Sequence, residues 1–308
     1  MEKERKLALS APFDSTAMID EVDRLAQRYP FLRVTGIGKS ILGKSIPCLI
    51  LGKGDRHVLY VGAHHGMEWL TSAWLLRFSE EVCEAMEGGR TIYRQSIPIY
   101  WERFTLHIVP MLNPDGVDYQ IHGLDGGNPL RTRLIAMNGG SEEFSSWQAN
   151  ARGVDLNHNY NAGFAEYKKL EASAGILGGG PTRYSGQDPE SEPEVKGLCD
   201  YMRFYREKLR LAMSFHTQGE EVFYKSSGCV PNGAQRPAEK LARLCSYQLS
   251  EADGLAAYGG LTDWCIRELG LPALTLECGK GRNPLPISCF FEVYARIREA
   301  LFLAPTLY

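Results

Sequence analysis

One junction constrains this chain more than any other stretch. An apolar run, Val58-Leu-Tyr-Val61, is closed by Gly62, followed by His65 and Glu68, and backed by a long amphipathic segment over 68–86. A short apolar run bounded by a turn former reads as a buried strand, and the segment behind it reads as a helix. A His-x-x-Glu at a strand-to-helix junction can turn one imidazole and one carboxylate towards a single point, the geometry a zinc ion asks for. Short His/Glu pairs arise often by chance, so the pair gains weight only from partners elsewhere in the chain.

Two further apolar runs end in chemistry-bearing side chains: 209–215 runs into His216, and 273–276 runs into Glu277. Ligands of open α/β sheets gather at the carboxyl ends of strands. His65, His216 and Glu277 are therefore expected at one sheet edge. Residues 32–37, 46–51, 57–61 and 104–109 read as strands and 221–224 as a short one, while 15–29, 189–205, 238–251 and 288–303 read as helices. Asp14 or Ser15 caps the first helix and Pro30 stops it. Prolines and acids in Pro189-Glu-Ser-Glu-Pro-Glu194 mark a helix start. Turn formers fill 110–116, 123–140 reads as loop, and the polar stretch 149–161 reads as a surface-lining segment. Alternating strands and helices imply an α/β fold, three-layer α/β/α, around a central mixed, largely parallel sheet. With no repeat, low-complexity tract or linker, 1–308 is expected to be a single domain.

Composition removes several classes of function. With 44% hydrophobic and 23% charged residues over 308 positions, the chain can bury a large core. Its 34 basic and 37 acidic residues leave no nucleic-acid footprint. No stretch approaches the roughly 20 apolar residues of a membrane span. The opening residues 1–10 are charged and lack a signal-peptide core, so either the protein stays in the cytoplasm or an export signal has been removed. Eight scattered Cys without a Cys-x-x-Cys pair fit reduced, mostly buried thiols.

Six stretches occur in a telling order: Gly62-Ala-His-His-Gly-Met-Glu68, Met111-Leu-Asn-Pro-Asp-Gly116, Arg152-Gly-Val-Asp-Leu-Asn157, Ser185-Gly-x-x-Pro-x-Ser-Glu-Pro-Glu194, Ser214-Phe-His216 and Thr275-Leu-Glu277. The set resembles the zinc carboxypeptidase family over 62–281, and the tail from Thr275 to Pro286 looks like the bacterial branch of γ-D-glutamyl-diamino acid peptidases. The resemblance implies one Zn²⁺ held by His65, Glu68 and His216, with the fourth position left to water. It puts Asp155 behind His65, fixing the ring, and makes Glu277 the general base. His64 is the bland neighbour, and Cys278 is expected to be an inert core thiol.

Departures from the family pattern bear on the substrate. The Arg that steadies the tetrahedral intermediate stands in many relatives at the position of Gln148. Arg152 is the replacement expected here, with Arg131 and Arg133 behind it. Where ordinary carboxypeptidases carry Asn-Arg to grip a C-terminal carboxylate, this chain has Asn157-His158, and histidine lacks the fork. Arg282, just past the base strand, is a further substrate-binding candidate. Tyr258-Gly-Gly-Leu-Thr-Asp-Trp264 is similar to the family's mobile Tyr loop, with the Tyr closer to the Gly pair than usual. The expectation is a zinc metallopeptidase acting on a peptide or muropeptide such as L-Ala-γ-D-Glu-diaminopimelate or its Lys analogue, without nucleic-acid or membrane partners. A C-terminal carboxypeptidase on ordinary peptides and a zinc amidohydrolase on N-acyl amino acids are the enzymatic alternatives. A binding module on a degenerate scaffold is the other, and retention of every ligand and the base argues against it. Oligomeric state is not readable.

Overall fold

The computed structural model describes residues 7–308; most of the charged opening stretch, 1–6, lies outside the described residues. Ten strands are present among the described residues: β1 (Arg33–Lys39), β2 (Ser45–Gly52), β3 (Arg56–Val61), β4 (Thr91–Ile92), β5 (Gln95–Ser96), β6 (Phe104–Val109), β7 (Leu209–His216), β8 (Glu221–Phe223), β9 (Gln248–Ser250) and β10 (Ala273–Glu277). All but the small β4–β5 ribbon join one sheet, in the order β1-β2-β6-β3-β7-β10-β8-β9. The middle four strands run parallel. β1 and β2 form an antiparallel pair along one edge, and β8 lies antiparallel to β10 near the other. The mixed sheet follows from connection lengths: β1 and β2 are joined by a tight turn at Ser40–Lys44, whereas parallel neighbours need a long crossover.

β3 and β6 are buried almost throughout, as parallel strands covered on both faces must be. Val58 and Tyr60 of β3 pack into the larger core with the helices Ser15–Arg28, Leu70–Glu87 and Phe290–Leu307. Leu59 and Val61 pack on the other side with Pro193–Tyr205 and Leu261–Leu269. These are the three layers. Phe215 and Leu276 belong to the first core, so by the period-two alternation of a strand Ser214, His216, Thr275 and Glu277 face the second layer. β7 and β10 pair with Glu277 opposite His216, which sets the imidazole and the carboxyl side by side on one face.

Several boundaries differ from the sequence expectation. The segment at 68–86 is split: Gly66–Glu68 is a single 3₁₀ turn and the α-helix runs Leu70–Glu87. Within 123–140 the chain forms the helix Arg131–Met137, and Pro114–His122 starts inside the turn run, with Asn113 accepting from the Gly116 N–H. Helices Ile97–Arg103, Phe164–Ser173 and Leu261–Leu269 were not anticipated. The helix expected over 238–251 is Gln235–Cys245; Ser246 turns left-handed at φ 58° and releases the chain into β9. The 149–161 stretch is mostly buried rather than a surface lining, save where Asp155, Asn157 and His158 reach a cleft. Asn150, Asp155 and Asn159 are buried; the two asparagines are met by the 185–192 segment, with Asn159 Nδ2 donating to Ser185 O and Asn150 Nδ2 to Glu192, while Asp155 accepts from the Arg183 N–H. All eight cysteines are free and Cys278 lies in the core. Among the described residues no helix is long and apolar enough to cross a membrane.

Candidate active site

The site begins where β3 ends. Gly62 leaves the strand and His65 sits in extended conformation before the Gly66–Glu68 turn. That turn lies hard against its neighbours: a Cβ on Gly66 would come within 2.3 Å of the Gly116 carbonyl oxygen, so only glycine fits there. The turn carries the Glu68 carboxylate back to the ring that opens it, with Oε1 at 3.0 Å from His65 Nδ1. β7 delivers the third group: His216 Nδ1 lies 2.9 Å from Glu68 Oε2 and 3.3 Å from His65 Nδ1. The outer nitrogens are occupied elsewhere, His65 Nε2 donating to Asp155 Oδ1 at 3.0 Å and His216 Nε2 lying 2.9 Å from Ser214 Oγ. His64 is buried, its Nε2 2.9 Å from Tyr160 OH and its ring stacked on His216 at 5.2 Å between centroids, outside the three-residue cluster.

This donor set fits a zinc ion. One ligand atom from each of His65, Glu68 and His216 lies within 4.8 Å of the others. Two imidazole nitrogens facing each other across a carboxylate call for a cation or a proton between them, and both rings are held by a partner on the far side. Without metal, burial works against charge on His65, but Glu68 and then Asp155 outweigh it and hold the imidazolium well above its usual range. Burial likewise opposes charge on Glu68 and Asp155, and the facing imidazoles hold both carboxyls down. Glu277 goes the other way: burial, then the negative charge of Glu68, push it well above the usual carboxylate range.

A cleft of about 600 Å³ opens over these groups and brings together His65, Asp155, Asn157, His158, His216 and Glu277. Asn157 is anchored from the Leu261 N–H to its Oδ1 at 3.2 Å. His158 is buried, donates Nδ1–H to the Tyr258 carbonyl at 2.9 Å, and stacks on Tyr167 at 4.0 Å between centroids. Gln148 also lines the cleft, its Oε1 accepting from Thr182 Oγ1 at 2.6 Å.

Three anticipated groups lie elsewhere. Arg152 is not on the cleft wall: Gly153 at φ 74° and the Asn150 side chain, which accepts from the Arg152 and Val154 amides, form a turn, and the guanidinium lies 3.7 Å from the buried Glu192 instead. Its reserves fare no better, since Arg131 pairs with Glu142 and Arg133 is exposed outside the cleft. Tyr258 offers its carbonyl rather than its ring. The ring packs over Gly163, where a Cβ would meet it at 2.5 Å, and under the Arg267 guanidinium at 5.7 Å. Arg282 is exposed and does not line the cleft. The cations that do line it are Arg183 and Lys225, which the sequence reading passed over. Arg183 stands two positions before the Ser-Gly motif, and nothing in the local spacing singles it out.

The sequence profile of the zinc carboxypeptidase family matches residues 18–300. The chain belongs to the zinc carboxypeptidase family. As a member it is a metallopeptidase whose metal is zinc, and the His-Glu-His cluster is the group of described residues that fits the ion. Among its relatives is the γ-D-glutamyl-L-diamino acid endopeptidase 1 of Lysinibacillus sphaericus, 34% identical over 95% of this chain and 72% of that protein. The carboxypeptidase A of Helicoverpa armigera superposes with a TM-score of 0.73 at 17% identity, covering 96% of this chain and 73% of that one. The murein-tripeptide amidase of Escherichia coli O157 superposes with a TM-score of 0.50 at 19% identity, over 89% and 91% of the two chains. These two likenesses show the carboxypeptidase fold.

Because Asp155 holds His65 while buried, its exchange for Asn, which keeps the shape and removes the charge, is expected to weaken zinc binding by about 10–100-fold. Competition with a chromophoric chelator measures this; unchanged affinity would leave Asp155 a mere loop former.

Proposed function

We propose that this zinc peptidase cleaves the amide between a γ-linked D-glutamyl residue and a diamino acid, as in L-Ala-γ-D-Glu-diaminopimelate or its Lys analogue. The observation that carries the reading is the fate of His158. The residue in the place of a carboxylate-gripping Arg is buried, committed to the Tyr258 carbonyl and flattened on Tyr167. Burial lowers its pKa, so it meets substrate as a neutral ring with no fork for a C-terminal carboxylate. The cleft instead offers acidic groups, Glu221, Asp253 and Asp263, which suit the extra amine of a diamino acid. The name of the Lysinibacillus relative describes the same kind of bond.

In this reading His65, Glu68 and His216 hold the zinc, which when bound acidifies a water and polarises the scissile carbonyl. Glu277 accepts the proton that the attacking water loses as its oxygen bonds to the carbonyl carbon. It then passes that proton to the departing nitrogen as the C–N bond breaks, giving a γ-carboxyl and a free amine. Asp155 and Ser214 keep the two imidazoles aimed inward throughout.

A cleavage panel read by mass spectrometry tests the substrate. The γ-linked diaminopimelate and Lys peptides should be cut at the glutamyl bond, and ordinary peptides with free or amidated C-termini should be cut slowly or not at all. Efficient cleavage of ordinary peptides that is lost on C-terminal amidation would replace this reading with a carboxypeptidase.

A further inference from the structure

We infer that Arg183 is the specificity-determining residue for the acyl side of the cleaved bond, where it grips the free α-carboxylate of a γ-linked glutamyl residue. The inference rests on the γ-glutamyl reading above and names the group that would recognise it. A γ-linkage places the scissile carbonyl at the end of the glutamyl side chain and leaves the α-carboxylate free a few carbons away. An α-linked peptide has no such group there.

The residue is built into the wall of the metal site. Its N–H donates to Asp155 Oδ2 at 2.9 Å, while the other oxygen of that carboxylate holds His65. Its carbonyl accepts from Tyr167 OH at 2.9 Å, and Tyr167 is the ring on which His158 lies. Pinned from both sides, Arg183 adopts the left-handed backbone at φ 66°, a conformation that arginine rarely takes and that collects at functional positions. Arg183 is exposed and lines the cleft, and no carboxylate among the described residues pairs with its guanidinium. Lys225, the other cleft cation, is already engaged by Glu251 and lies over the Tyr224 ring. Arg152 is off the cleft wall, 3.7 Å from the buried Glu192. That leaves Arg183 as the planar fork open to a substrate carboxylate, on a wall from which Gln148 and His158 have removed the cations the family pattern would place there.

The test compares two substrates, L-Ala-γ-D-Glu-diaminopimelate and its glutamyl α-carboxamide, on the zinc-loaded wild type, R183Q, R183G and R183K. R183G removes the side chain and suits the left-handed backbone, so it stands in for R183Q should the latter misfold. The wild type should prefer the free acid by roughly tenfold or more in kcat/KM, mostly through KM. In R183Q and R183G the ratio should fall to within about twofold, the loss falling on the acid, while R183K should keep part of it. A wild-type ratio retained in both variants overturns the inference, as does an equal loss on both substrates, which would mark Arg183 as structural only. Wild type cutting both substrates equally well overturns the role of Arg183 and leaves the γ-glutamyl reading standing; wild type cutting neither removes both.

Discussion

Glu277→Gln should yield a folded, zinc-binding protein whose kcat falls by roughly 10²–10⁴-fold, the contribution of a positioned general base. Glu277 sits opposite His216 across the β7–β10 pair, on the same face and in the same cleft. Glutamine keeps the volume and cannot accept the proton from water. The same variant carries a stability signature. Because burial and Glu68 raise the folded-state pKa of this acid, its ionisation costs stability above the unfolded value near 4.5, and the cost grows until the pH passes the folded value. In chelator-treated protein, E277Q should therefore melt higher than wild type at pH 7, and the difference should vanish near pH 4. Stopped assays with metal content measured alongside decide the first part. A variant keeping more than about a tenth of the wild-type kcat would remove Glu277 from the role.

Removal of zinc should abolish hydrolysis while leaving the chain folded. The metal-free site is not an uncompensated hole, since a protonated His65 lies between Glu68 and Asp155, 3.0 Å from each. Metal must displace that proton. Zinc affinity should thus rise with pH through neutrality, by up to about tenfold per unit for as long as metal-free His65 stays protonated. Calorimetry in buffers of different ionisation heat counts the protons released, and circular dichroism of the stripped protein checks the fold. Binding without proton release would refute this picture of the empty site, and full turnover in excess chelator would refute the metal's part in it.

How much of this was readable beforehand depended on how local the cause was. Three apolar runs ending in His or Glu announced a shared sheet edge, and the pairing of Glu277 with His216 needs only strand parity and neighbouring strands. Side chains on loops were another matter. Arg152 looked like the natural heir to the missing cation because it stands four residues past Gln148, yet Gly153 and the Asn150 side chain shape a turn that keeps it off the cleft wall. Arg183 is held in place by Asp155 and Tyr167, which are 28 and 16 positions away, so no window around it could reveal its direction. The polar 149–161 stretch read as surface for the same reason. Its partners at 185–192 are distant, and burial of an amide is tolerable only once such partners arrive.

The two oxygens of Asp155 serve different masters: one steadies a metal-site ring, the other braces the backbone of the cleft wall at Arg183. On the roles proposed for Asp155 and Arg183, ion retention and ligand choice are joined through a single carboxylate. An engineer who remodels that wall to accept new peptides should find zinc occupancy drifting along with selectivity.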